Sequence, residues 1–154
     1  MTPLRIETVP QGSATRVIVT GDLSEHADFA AVLGAASREL VFDLRGVRRI
    51  NSCGVREWIR LMDALRAEGR VLALEHCSVA FVNQMNMIMN FSGNARVRSF
   101  YAPYLCGRCG HEYSELCLLA EGAAPDLPET SVCPSCGADA EFDDLRDAYL
   151  GFLT

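Results

Sequence analysis

Two short cysteine motifs constrain the fold of this chain most strongly. They read CGRCG from residue 106 and CPSCG from residue 133, and 23 residues separate the pairs. In each motif a tight turn directs both thiolates at one ion, and the final glycine permits the left-handed backbone conformation. Four thiolates complete a tetrahedral set, so the spacing predicts one structural zinc ion. Its ligands would be Cys106, Cys109, Cys133 and Cys136.

The remaining cysteines and histidines add no obvious ligand. His111 and Cys117 are near enough in sequence to be considered, but the paired spacing leaves them no vacant position. A site closed by four thiolates has no open position for a substrate, so catalysis at the zinc is not expected. The metal has a structural reason to be present, because the last 54 residues are too few to bury a large core unaided.

Charge divides the chain near residue 101. Residues 1–100 contain 12 arginines and ten acidic residues, a net charge of +2. Residues 101–154 contain two arginines and ten acidic residues, a net charge of −8. A segment this acidic repels phosphate backbones, so nucleic-acid binding through it is not expected. Charge and cysteine usage together predict two domains, 1–100 and 101–154.

Hydropathy gives no sign of a membrane protein. No apolar run approaches the roughly 20 residues that cross a bilayer, and the N-terminus lacks the basic-then-apolar layout of a signal peptide. We therefore expect a cytoplasmic protein that does not insert into membranes.

Residues 4–100 alternate between strand and helix patterns. The predicted elements are strands 4–8 and 16–20, a helix 25–37 capped by Ser24, a strand 40–44, a helix 54–69, a strand 70–75, a helix 78–93 and a strand 95–100. Strands joined by crossover helices predict an α/β fold with a mostly parallel sheet, and the first two strands add an antiparallel edge hairpin.

The stretch from Val41 to Gly54 is the most informative part of this region. A short apolar strand is interrupted at Arg45-Gly46, and Asn51-Ser52-Cys53-Gly54 then leads into the clearest amphipathic helix of the chain. A hydroxyl at a helix N-terminus lies where the unpaired N–H groups and the helix dipole favour negative charge. Ser52 is therefore a candidate phosphorylation site, and the alternative is that it serves only as the helix N-cap.

Several spaced segments together resemble the STAS domain, the fold of bacterial anti-anti-sigma factors and of the cytoplasmic part of sulfate transporters. They are Gly21-Asp22-Leu23 after the second strand, Phe42-Asp43-Leu44 in the third, Ile50–Gly54 before the helix, and Glu68-Gly69 at its end. The resemblance covers about residues 4–100.

This resemblance implies a regulatory protein-binding module. In anti-anti-sigma factors an Asp-Ser-Ser-Gly or Asp-Ser-Thr-Gly motif is phosphorylated at its first hydroxyl by a GHKL-type serine kinase that is also an anti-sigma factor, and this position matches Ser52. The unphosphorylated protein binds the kinase and frees a sigma factor, whereas the phosphorylated protein is released. The implied partner-binding residues are Asn51, Ser52, Cys53, Gly54 and Arg56.

The sequence departs from that motif at two positions, which leaves alternatives open. Asn51 stands where the family has an acid, and Cys53 replaces the second hydroxyl. One alternative is an unphosphorylated STAS scaffold or regulatory subunit of a larger assembly such as a transporter. Cys53 itself is either a small residue packed under the helix or a reactive thiolate at its N-terminus.

Residues 101–154 resemble a zinc ribbon followed by a C-terminal helix. Phe142, Leu145, Tyr149 and Phe152 recur on one face of that predicted helix, which would either pack on the protein or dock to a partner. The chain has no phosphate-cradling loop, no His-Glu-x-x-His and no Gly-x-Ser-x-Gly motif, so we do not expect an enzyme.

Overall fold

The computed structural model describes residues 2–121 and 124–153. Its strands are β1 (Arg5–Gln11), β2 (Ala14–Leu23), β3 (Glu39–Ile50), β4 (Val71–Glu75), β5 (Arg96–Val97), β6 (Ser99–Cys106), β7 (Glu112–Leu118), β8 (Thr130–Val132) and β9 (Asp139–Phe142). Its helices are α1 (Ala30–Leu33), α2 (Ser52–Ala67), α3 (Val79–Met87) and α4 (Arg146–Tyr149), and the last is followed by a 3₁₀ turn, Leu150–Leu153. Within these described residues, no helix is both long and apolar enough to cross a membrane.

The first five strands form one sheet in the order β1-β2-β3-β4-β5. β1 and β2 pair as an antiparallel hairpin at the edge, and every later pairing in this sheet is parallel. The prediction of an α/β fold with a mostly parallel sheet and an antiparallel edge is therefore confirmed at this level.

The third strand is longer than predicted. Arg45-Gly46 does not end β3, which continues to Ile50 with a shift in register against β2. A Cβ atom at Gly46 would lie 2.9 Å from the Thr20 side chain, so only glycine lets the strands pass each other here. The bulge thus extends the strand to the start of α2.

Trp58 of α2 lies at the centre of the core on one face of this sheet. Its fully buried ring makes edge-on contacts with Phe42 of β3 and Phe81 of α3, at centroid distances of 5.3 and 5.2 Å. Its indole N–H donates to the carbonyl of Phe91 at 2.9 Å, which satisfies the one polar atom of the side chain. Helices α2 and α3 are thereby fixed on the sheet around one aromatic cluster.

The predicted boundaries of two helices were wrong. The helix expected over residues 25–37 is reduced to α1, because the Ser24 and Asp28 side chains accept backbone N–H groups two residues ahead and form turns instead. The helix expected to reach Gly93 ends at Met87, and Met89, which was expected on its buried face, is 87% exposed.

The last four strands form a second, antiparallel sheet in the order β7-β6-β9-β8. The single strand predicted over 95–100 is in fact β5 and the start of β6, and β6 runs across the predicted domain boundary. A parallel bridge between Cys77 and Phe100 joins the two sheets at this point.

The C-terminal segment lies over this junction rather than projecting from it. Phe142 belongs to β9, so the single helix predicted to carry Phe142, Leu145, Tyr149 and Phe152 does not exist. Tyr149 is buried, its hydroxyl donates to the Tyr101 carbonyl, and its own carbonyl accepts from Asn86 of α3. Phe142 and Phe152 are partly buried against the core, and Leu145 alone of the four predicted residues is largely exposed.

Candidate metal centre and partner-binding surface

The two cysteine motifs fold into the same local structure. In the first, the Gly110 N–H donates to the Cys106 carbonyl at 2.8 Å, and in the second the Gly137 N–H donates to the Cys133 carbonyl at 2.9 Å. Both glycines have φ of +76°, a conformation in which a side chain would be strained. Because each motif closes through its own backbone, the pair of thiols in each turn is positioned by local sequence alone.

The second sheet brings the two turns together. The Sγ atoms of all four cysteines lie within 4.8 Å of one another. The Sγ atoms of Cys106 and Cys136 are 3.5 Å apart, and those of Cys109 and Cys133 are 3.7 Å apart. A Zn–S bond length of about 2.3 Å would place tetrahedral sulfur atoms about 3.8 Å apart. The cluster therefore has the geometry of a structural metal site.

Electrostatics in the cluster also favour a cation. The backbone N–H groups of Cys109 and Arg108 lower the pKa of the Cys106 thiol to about 6. The Ala138 N–H lowers the pKa of Cys136, but the Cys106 thiol, burial and the other nearby thiols raise it to about 11. Four sulfur atoms this close cannot all lose their protons without a compensating positive charge, which a bound divalent metal supplies.

The two other candidate ligands have different roles. Cys117 is buried and its thiol faces the Asp126 carbonyl at 3.5 Å, and burial raises its pKa. The His111 ring stacks on Tyr113 at a centroid distance of 5.7 Å. The metal-binding group found in the described part of the chain contains neither residue.

At the start of α2 the structure assigns the cap to Asn51. Its side-chain oxygen accepts the Gly54 N–H at 2.8 Å, and its extended backbone conformation is that of an N-cap residue. The hypothesis that Ser52 is only the N-cap is therefore wrong. Ser52 is the first residue of α2, it is exposed, and its hydroxyl makes no hydrogen bond with any residue the structure describes.

Gly54 brings this turn against the end of β2. A Cβ atom at Gly54 would lie 2.1 Å from the Leu23 carbonyl oxygen, and the same oxygen accepts the Asn51 N–H at 3.1 Å. Gly54 is buried, so it shapes the surface implied for partner binding without being exposed on it. The close approach explains why the chain needs glycine at this position.

Two charged side chains contact the residues on either side of the exposed serine. The Asn51 amide donates to Glu25 at 3.1 Å, and Glu25 is a residue that sequence reasoning missed, since nothing in its local sequence connects it with position 51. A hydrogen bond from its own backbone and the one from Asn51 lower the pKa of Glu25. Arg56 is exposed and contacts the Cys53 thiol at 3.7 Å. A carboxylate and a guanidinium therefore lie on this surface, although Asn51 itself is neutral.

Comparison with known proteins leaves the family of the chain unassigned, because no protein-family model matches it and no curated protein matches it significantly. Function must therefore be argued from these two sites.

Proposed function

We propose that this protein is a cytoplasmic regulatory module that switches between protein partners by phosphorylation of Ser52. The partner would be a GHKL-type serine kinase acting as an anti-sigma factor, as the resemblance to STAS domains implies. The proposal assigns no catalysis to this chain. The kinase would transfer the γ-phosphoryl group of ATP to the serine oxygen and would supply the base that accepts the hydroxyl proton.

The observation that carries the proposal is the separation of two roles at the start of α2. Asn51 caps the helix, so the Ser52 hydroxyl is not needed for the fold and faces solvent. A capping serine would have to break its hydrogen bond before a kinase could reach it. An exposed serine at the first helical position is accessible without local unfolding.

The surroundings of Ser52 support a phosphate acting as a switch. The helix N-terminus and Arg56 would stabilise a phosphate dianion within the chain, whereas a docked partner would have to desolvate that charge. Glu25 adds a second negative charge on the neighbouring loop. Phosphorylation would therefore weaken binding of a partner that contacts this surface, while leaving α2 folded.

Mass spectrometry of the protein from its native host, in several growth conditions, tests the proposal. The expected result is a phosphopeptide containing Ser52 that disappears in Ser52→Ala and persists in Ser114→Ala, another exposed serine. A co-purifying GHKL-type ATPase should be retained by Ser52→Ala and lost with Ser52→Glu. If no Ser52 phosphopeptide forms and Ser52→Glu binds the same partners as the wild type, the switch is contradicted.

A scaffold role is the second candidate, and the neutral Asn51 beside the serine favours it. In that case the chain would be a STAS-type subunit of a larger assembly such as a transporter, with no phosphorylation. Co-purification of transporter subunits, unchanged by Ser52→Glu, would support this role over the switch.

We also propose that the four-cysteine cluster holds one structural Zn²⁺ within a zinc ribbon. Support comes from the sulfur spacing and from the repeated turn that builds each half of the cluster. Elemental analysis should give one zinc per chain, lost in Cys133→Ser and retained in Cys77→Ser, since Cys77 is buried elsewhere. Well under one zinc per wild-type chain, or another metal, would contradict the assignment.

A further inference from the structure

A surface groove lies between the second sheet and the start of α4, and its lining combines charged side chains with two apolar ones, Phe142 and Leu145. Its volume is about 370 Å³. The residues that matter for its chemistry are Glu129, Glu141, Phe142, Asp144 and Leu145. All of its lining residues belong to the last 26 residues of the sequence, and none of them belongs to the Ser52 surface.

Leu145 in this groove breaks two local rules at once. Its side chain is 76% exposed, whereas Tyr149 is buried and Phe142 and Phe152 are partly buried against the core. It also occupies the N-cap position of α4, where no side chain caps the helix. Asn, Asp or Ser at this position would stabilise the helix by about 1 kcal/mol relative to an apolar residue. A leucine that is exposed and also leaves a helix start without a side-chain cap is a candidate for contact with a partner.

Acidic side chains outnumber basic ones in the groove, because three carboxylates line it together with one guanidinium, that of Arg146. Glu129, Glu141 and Asp144 form no ion pair with any residue in the described parts of the chain. The Arg146 guanidinium is directed to the Leu127 carbonyl, to which it donates a hydrogen bond. The Asp144 carboxylate accepts the Leu145 N–H at 2.6 Å, which holds it beside the exposed leucine.

We propose that this groove docks a segment of a protein partner in which arginine or lysine side chains flank an apolar residue. The apolar residue would pack on Leu145 and on the half-buried Phe142 ring, and the cationic groups would pair with the three carboxylates. The charge of the chain's last 54 residues, −8, attracts such a segment from a distance and repels acidic ones. This surface is separate from the Ser52 surface and works whether or not that serine is phosphorylated.

Titration of the ¹⁵N-labelled full chain, purified with its metal, with an acetylated Arg-Leu-Ala-Arg amide tests this proposal. We expect chemical-shift changes centred on residues 129–130 and 141–146. A Glu-Leu-Ala-Glu peptide and an Arg-Ser-Ala-Arg peptide should produce no saturable change. Leu145→Ser should weaken binding about tenfold or more, because the leucine contact is lost.

Matched variants distinguish a loss of peptide binding from a loss of folding. Leu145→Ser provides a better N-cap than leucine, so this variant should fold at least as well as the wild type. Leu118→Ser, another leucine that is 71% exposed, should bind the peptide like the wild type. Glu141→Gln should weaken binding and reduce its dependence on salt.

Four results would overturn the proposal. The first is no saturable binding of the basic peptide at millimolar concentration. The second is a set of shifts spread over the whole acidic surface and unaffected by Leu145→Ser, which would indicate non-specific attraction. The third is the same set of shifts produced by calcium chloride alone. The fourth is a dimer in sedimentation equilibrium that Leu145→Ser dissociates, since a second copy of the chain would then be the occupant.

Discussion

Asn51 and Gly54 hold the first turn of α2 against the end of β2. One supplies the cap for the helix, and the other removes the Cβ atom that would collide with Leu23. Ser52 lies between them and contributes to neither contact. These separate structural roles can be tested by comparing the unfolding free energies of single variants at the three positions.

Asn51→Ala should destabilise the protein by about 1 kcal/mol, because the Gly54 N–H loses its partner at the helix end. Ser52→Ala should change the free energy of unfolding by less than about 0.5 kcal/mol, because the hydroxyl makes no hydrogen bond with a described residue. Urea denaturation of both variants measures the difference. A larger loss in Ser52→Ala than in Asn51→Ala would return the capping role to the serine.

Gly54→Ala should destabilise the fold by about 3 kcal/mol, since its new methyl group would lie 2.1 Å from the Leu23 carbonyl oxygen and must displace backbone. Gly69→Ala is the matched control, because Gly69 has φ of +74° but open space around it. It should cost only about 1 kcal/mol of left-handed strain. Equal losses of stability in the two variants would show that the packing against Leu23 is not required.

The roles of the site residues could be predicted from the sequence only where the contacts that define them are close together along the chain. The cysteine turns close within six residues of chain, so their spacing was enough to identify the metal-binding group. The sequence left open whether Ser52 is the cap, because serine and asparagine are both good caps and only the backbone conformation identifies Asn51 as the N-cap. The contact between Asn51 and Glu25 spans 26 positions and has no sequence signature.

At the level of elements, the first sheet has a charged face opposite its aromatic core. Arg16 of β2 pairs with Asp43 of β3 at 2.8 Å and with Glu75 of β4 at 2.7 Å. Arg98 extends the network to Glu75 at 3.4 Å, and His76 lies 3.1 Å from Asp43. The two Arg16 pairs thus link the parallel strands β2, β3 and β4 through side chains as well as backbone.

The two carboxylates on this face should make stability fall in acid. Burial is the largest single influence and raises the pKa of Asp43 and of Glu75, but hydrogen bonds and nearby positive charge, with Arg16 first among them, together outweigh it, and both pKa values are lowered. A carboxyl group with a lowered pKa in the folded state contributes stability above its unfolded pKa of about 4. That contribution is lost as the pH falls through the folded pKa.

Arg16→Met should therefore destabilise the protein by about 2 kcal/mol at pH 7, because two partly buried carboxylates lose their partner. The difference from the wild type should shrink below about pH 4, where the carboxylates become protonated. Urea midpoints measured from pH 7 to pH 3 test this. Arg60→Met, which removes an exposed pair with Glu57 on α2, should cost less than about 0.5 kcal/mol. If the difference in unfolding free energy between Arg16→Met and the wild type stays constant with pH, the role of the two carboxylates is contradicted.

The boundaries of helices and strands were predicted well where hydrophobic periodicity determines them. They were predicted wrongly where a contact outside the periodic pattern determines them. The 16-residue helix α2 has a continuous apolar face and was expected almost to its observed ends. The third strand was expected to end at Leu44, because the contact of Gly46 with Thr20 that lets the strand continue is absent from the local pattern. α1 was expected to be three times longer, because an alanine-rich segment has high helix propensity but here follows two side-chain turns.

On the scale of the whole molecule, charge and cysteine usage predicted two parts, and the structure shows how those parts meet. β5, the last strand of the first sheet, ends at Val97, and β6 begins at Ser99 as an inner strand of the second sheet. Phe100 packs against Tyr149 and Phe152 from the C-terminal segment, at centroid distances of 6.2 and 5.2 Å. No sequence pattern could reveal this packing, because it joins residues about 50 positions apart.

Metal removal should destabilise the second sheet much more than the first. The core around Trp58 is built from residues of the first hundred, whereas the second sheet depends on the two cysteine turns for closure. A structural zinc ion typically contributes about 10–16 kcal/mol of apparent binding free energy, which becomes folding free energy of the module that binds it. Chelation should therefore raise the rate of amide hydrogen exchange over 103–113 and 130–142 by at least a hundredfold, and in α2 by less than tenfold.

Cys133→Ser should produce the same pattern of exchange rates without a chelator, since it removes one of the four sulfur atoms. If amide hydrogen exchange accelerates equally in α2 and in the second sheet, the packing of Phe100 on Tyr149 makes the two parts unfold as one cooperative unit instead.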